Sequence, residues 1–291
     1  MGDVSAREFR LIIVPYELGR LRHGVGRGPE SLLAAGAQEA LANGGARVTE
    51  ELVELDPRFS GSGYGEVDAC FELIRLVRDH VDGAVRDEAL PVVLSGSCFV
   101  AVGVVAGLGP PTPRVAWLDA HSDFNTPETT HEGYFDGMGL AVLTGGAWQA
   151  MRARVPGAVP VTEQSVVLAG ARDLEPPDEK RLEASSIRRV AANDLRDPRA
   201  LVQGLDAAGQ AGNGAYLHLD LDVLDASVAQ VNVFAAPGGP DGDELVRVVE
   251  TTVNSCELRA VSLTAYDPEL DPEQRVPPIA TRVLAAIGHG P

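Results

Sequence analysis

Short apolar runs rich in Val, Ile and Leu recur at positions 11–14, 91–94, 115–118, 166–168, 216–221 and 260–263. Most are too short for helices and barely alternate, the pattern of strands buried on both faces of a parallel sheet. Between them, stretches 29–41, 67–85 and 243–253 carry apolar residues at helical spacing. The β, α, β, α order predicts an α/β fold built on one mainly parallel sheet flanked by helices.

Pro and Gly clusters at 109–113, 176–177 and 237–242 each fall between one element and the next, so they read as loops. Residues 1–291 are therefore expected to form a single domain. Hydrophobic residues make up 45% of the chain, enough to fill a core. The net charge of −18 argues against a nucleic-acid partner, because phosphate contacts need clustered Lys and Arg. No window approaches the roughly 20 apolar residues of a membrane helix. The start MGDVSAREFR lacks the basic and apolar segments of a signal peptide. A cytoplasmic protein with no membrane partner is the expectation. Three cysteines, Cys70, Cys98 and Cys256, are too few and too odd in number for a disulfide framework and read as thiols.

Ligands of open parallel sheets sit beyond the carboxyl ends of the strands, which directs attention to the polar residues that follow each apolar run. The run 115–118 leads directly into Asp119, His121 and Asp123. Residues two apart on an extended chain share a face, so these three side chains can converge. At the end of 216–221, Asp220 and Asp222 repeat the arrangement. Burying carboxylates side by side is costly unless cations neutralise them, and this set of oxygen and nitrogen donors suits Mn²⁺ or a similar divalent ion. The run 91–94 continues through Ser95, Gly96 and Ser97 to Cys98, which is a metal ligand, a nucleophile or a packed thiol.

These segments resemble the ureohydrolase family, that of arginase and agmatinase, whose GGDHS, DAHxD, SxDxDxxDP and ExNP segments surround two manganese ions. The stretch 119–127, DAHSDFNTP, is the most specific match, and 24–29 and 171–175 resemble two further family segments. The resemblance implies a three-layer α/β/α fold and a homo-oligomer acting on a small molecule. It also implies two divalent ions, bridged by Asp119 and Asp220, with His121 and Asp222 on one and Asp123 on the other. Asp225 matches an acid that supports the loop. Asn125 and Glu175 match substrate contacts, and Glu132 joins them as a candidate from the loop 129–138.

Three positions depart from the family pattern. Cys98 stands where the first segment has its metal-binding His, which admits Zn²⁺, Fe²⁺ or Co²⁺ beside Mn²⁺. Asp136 stands where the family has a proton-shuttling His, and with His121 it forms the candidate catalytic set. Ala265 stands where an acid holds the guanidinium. The pattern resembles relatives in which Cys replaces the ligand His, including one that acts on Nω-hydroxyarginine. The expected activity is hydrolysis of a C–N bond in a guanidino or hydroxyguanidino compound. A formimino or amidine hydrolase and a non-catalytic scaffold of the same fold are the alternatives.

Overall fold

The computed structural model describes residues 7–60, 65–209 and 214–290; positions 1–6 of the N-terminal stretch considered above lie outside them. The strands are β1 (Glu8–Val14), β2 (Tyr16–Glu17), β3 (Arg20–Leu21), β4 (Arg47–Leu52), β5 (Leu90–Ser95), β6 (Arg114–Leu118), β7 (Val166–Ala169), β8 (Arg188–Val190), β9 (Ala215–Asp220) and β10 (Leu258–Thr264). The helices are α1 (Gly28–Ala34), α2 (Ala37–Ala42), α3 (Glu66–Arg86), α4 (Ala101–Leu108), α5 (Gly139–Thr144), α6 (Gln149–Arg152), α7 (Pro176–Glu183), α8 (Ala200–Asp206), α9 (Gly242–Ser255) and α10 (Val276–Gly288).

Eight strands form one parallel sheet in the order β4-β1-β5-β10-β9-β6-β7-β8, as the apolar runs predict. Alternate residues of each strand feed two separate cores. Ile12, Val93, Trp117 and Tyr216 pack with α3, α4 and α5 on one face. Leu11, Val92, Ala116 and Leu217 pack with α1, α2, α9 and α10 on the other. Helices thus cover both faces of the sheet.

β9 and β10 lie between β5 and β6, so after β8 the chain reverses its direction of growth and fills the gap left beside β5. Such a switch point opens a crevice at the carboxyl edge. The residues after β5, β6, β9 and β10 therefore meet there, and these are the segments that contain Cys98, Asp119, Asp222 and Ala265.

Three local expectations are corrected. The stretch 29–41 forms two helices, because Gly36 takes φ +96°, a left-handed conformation that ends the first helix. Pro176 and Pro177 open α7, where a missing N–H costs no helical hydrogen bond. Asp222 does not continue β9: the Asp220 side chain accepts from the Asp222 amide at 2.8 Å and turns the backbone into one turn of 3₁₀-helix over Leu221–Val223. The edge strands β4 and β8 have no apolar run to betray them, since most of their residues are exposed.

Candidate metal centre

The turn after β5 is built from small residues because it touches other backbone. A Cβ on Gly96 would lie 2.4 Å from the Tyr16 carbonyl and 2.7 Å from the Gly26 Cα. This contact seats the N-terminal turn against the one that presents Cys98. The thiol, 2% exposed, donates to Asp220 Oδ2 at 2.9 Å and lies 3.0 Å from Thr264 Oγ1. Burial, with the charges of Asp220 and Asp136 added, pushes the thiol well above its ordinary pKa.

Asp119 follows β6 directly and has both oxygens engaged. Oδ1 accepts from the His121 amide at 2.7 Å, and Oδ2 from Trp117 Nε1 at 3.0 Å. His121 Nδ1 lies 3.3 Å from Asp119 Oδ1 and 3.3 Å from Asp222 Oδ2. Burial opposes its charge, but these hydrogen bonds and the two carboxylate charges push His121 up to about 12. Burial and the Asp222 charge raise Asp119 to about 6. Burial would raise Asp222 as well, yet His121, Asn232 and the Ala120 amide bring it down to about 2. Asp123 and Asp220 are driven well up, first by burial and then by neighbouring carboxylates.

One ligand atom each from Asp119, His121 and Asp222 lies within 4.8 Å of the others. A second group with the same spacing joins Asp119 to Cys98 and to a residue the sequence reading passed over, His218. Asp123 belongs to neither group but lines the same cavity. Four buried acids crowd around one imidazolium, and the raised pKa values of Asp119, Asp123 and Asp220 express their burial and a repulsion between their charged forms that divalent cations would relieve. The two donor groups share Asp119. The donor set therefore fits a pair of such ions.

The cavity above these groups has a volume of about 570 Å³. Cys98, His121, Asp123, Asp136, Asp220 and Asp222 line it, and so do Asn125, Glu132 and Glu175. Asp119, 1% exposed, lies beneath. Asn125 Oδ1 accepts from Thr129 Oγ1 at 3.0 Å, while Glu132 and Glu175 are exposed at the mouth. Asp136 is a buried acid whose Oδ1 accepts from the Phe99 amide at 2.9 Å. Burial outweighs the amides of Phe99 and Cys98 and raises Asp136 to about 7. Ala265 also lines the cavity, its φ at +64°.

Supporting contacts come from Asn232, which had no sequence signal, and from Arg172 and Asp225, which lie in segments that resemble the family's. Asn232 Nδ2 donates to Asp222 Oδ2 and to the Ala265 carbonyl, both at 3.0 Å. The Arg172 guanidinium donates to the carbonyls of Asp222, Leu224 and Ala236, clamping the segment that contains Asp222. Asp225 accepts from the amides of Ser227, Gly238 and Gly239, which agrees with its expected place as a loop support. His218 had a visible sign, a lone imidazole inside an apolar run. Cys70, Cys98 and Cys256 are buried free thiols. Among the described residues no helix is long and apolar enough to cross a membrane.

Residues 7–288 match the Arginase family. The chain is 26% identical over 310 residues to an arginase of Agrobacterium fabrum, covering 98% of this chain and 95% of that one. The native structure of the arginase from Bacillus caldovelox superposes with a TM-score of 0.87 at 25% identity, covering 98% of this chain and 99% of that chain. The proclavaminate amidino hydrolase of Streptomyces clavuligerus shares the fold, with a TM-score of 0.73 at 19% identity over 98% of this chain and 91% of its own.

Proposed function

The chain belongs to the arginase family, whose members are hydrolases of C–N bonds in amidines, and from that premise we propose a binuclear hydrolase acting on a hydroxyguanidino compound of the Nω-hydroxyarginine type. The observation that carries this reading is the buried cluster of Asp119, His121, Asp222 and Cys98 at the base of the cavity. Asp119 and Asp220 would lie between two ions, manganese being the family's metal. His121 and Asp222 would hold one, and Asp123 with Cys98 the other. When bound, such ions make a water nucleophilic near neutral pH and polarise the carbon it attacks.

The chain's own residues would supply the rest. Asn125, Glu132 and Glu175 surround the mouth, where the two carboxylates suit the ammonium end of an amino acid. Asp136, raised to about 7, is suited to deliver a proton to the leaving nitrogen. Ala265 offers no charge to a guanidinium, so a less basic hydroxyguanidine loses less by its presence than arginine does. A homo-oligomer in the cytoplasm is part of the same proposal.

The test is turnover of arginine, agmatine, Nω-hydroxyarginine and a formimino compound by the manganese-loaded chain, scored by urea, hydroxyurea or formamide release. Hydroxyurea release should exceed urea release by tenfold or more in kcat/KM, about 1.4 kcal/mol of discrimination. Faster urea release from arginine or agmatine would overturn the substrate assignment.

A further inference from the structure

We propose that His218 is a ligand of this centre, its Nε2 holding one of the two ions together with the Cys98 thiolate and Asp119. The inference rests on the binuclear reading above and adds a donor to it. Tyr216, His218 and Asp220 alternate along β9 and share its face. The strand register sets His218 opposite Trp117 on β6 and opposite Ser262 on β10. A ring nitrogen of His218, Cys98 Sγ and a carboxylate oxygen of Asp119 all fall within 4.8 Å of one another.

The ring is held in place from two sides. It stacks on Trp117 with centroids 3.7 Å apart and planes at 22°. The same indole donates to Asp119, so one side chain orients both donors. Nδ1 lies 3.1 Å from Tyr216 Oη, which lies 2.8 Å from Ser262 Oγ. With Tyr216 donating to Ser262, Nδ1–H donates to Tyr216 and the lone pair is left on Nε2. Histidines that bind metals are fixed in this way, through the nitrogen that does not coordinate.

Nε2 itself is fully buried and has no hydrogen-bond partner among the described residues. A histidine serving only to pack would leave that nitrogen desolvated and unpaired, which is unfavourable. An ion seated against Cys98 and Asp119 removes the deficit. It also makes the two positions chemically unequal. Sulfur, nitrogen and oxygen donors favour Zn²⁺ or Co²⁺ at this one, while Asp119, His121 and Asp222 form a harder set suited to Mn²⁺.

The experiment loads the full chain, labelled with ¹⁵N in its histidine rings, with Zn²⁺ and records ring-nitrogen NMR alongside bound zinc per chain. Two ring nitrogens, those of His121 and His218, should move to the metal-bound position. His218→Asn should abolish one of these signals and weaken one zinc by about a hundredfold, at or beyond the range typical of an outer-shell partner. Because the count is taken on the unsubstituted chain, a variant that misfolds does not void it. Two zinc ions with only the His121 nitrogen shifted would overturn the proposal and leave the binuclear reading standing. A chain that binds no zinc and no manganese would overturn both.

Discussion

The Cys98 thiol and the Asp220 carboxylate meet at 2.9 Å although 122 residues separate them. The contact exists because β9 and β5 both pair with β10, which brings two strand ends to one crevice. It couples a thiol to a carboxylate at the point where the centre departs from the family pattern.

Replacing Asp220 by Asn removes a negative charge but keeps the shape. Bound metal and turnover should fall together, each by about a hundredfold or more. The comparison is metal per chain against kcat; full occupancy with unchanged turnover would exclude a bridging role for Asp220.

Cys98→Ala should release one ion before the other, which His121, Asp119 and Asp222 retain. Cys98→His should shift that position toward Mn²⁺, since imidazole suits this ion better than a thiolate does. Competition between Mn²⁺ and Zn²⁺ in equilibrium dialysis reads the change, and a packed thiol would leave both ions bound in the Ala variant.

Asp136 carries a pH signature in the metal-free chain. Its pKa is raised from 3.8 to about 7 on folding, so its contribution to stability is fully present below about pH 4 and is lost as pH rises through 7. Asp136→Asn, whose carbonyl can still accept from the Phe99 amide, should flatten this part of the thermal unfolding profile. In turnover the same variant should lose about 10²- to 10⁴-fold, the usual worth of a proton donor. An unchanged rate would remove Asp136 from the chemistry.

Asn232→Ala strips Asp222 and the Ala265 carbonyl of a shared donor. Affinity for the ion held by His121 and Asp222 should drop about 10- to 100-fold, with about 1–3 kcal/mol of stability lost. Isothermal titration with Mn²⁺ and thermal melts separate the two effects.

Ala265→Glu would place a carboxylate where the cavity has none. Arginine should gain on Nω-hydroxyarginine in relative kcat/KM by about tenfold, and no change in that ratio would show that position 265 does not face the guanidino group.

Much of the centre was legible in the chain because its donors are sequence neighbours. Asp119, His121 and Asp123, or Asp220 and Asp222, sit a few residues apart at the ends of apolar runs, and buried carboxylates at a strand end call for cations whatever surrounds them. The parallel sheet was legible for the same local reason, since strands covered on both faces need uninterrupted apolar residues. Tertiary structure decided what no spacing encodes. The break at Gly36 depends on one backbone angle, and the turn at Asp222 on a side chain bonding its own backbone. Asn232 reaches Asp222 only because its loop pairs with the segment after β10, and Asp136 is a buried partner of the Phe99 amide only because α5 packs against the turn after β5. His218 shows the difference most clearly. In sequence it is one polar residue in an apolar strand, and only the assembled sheet brings Trp117, Ser262, Asp119 and Cys98 around it, leaving one nitrogen without a hydrogen-bond partner among the described residues.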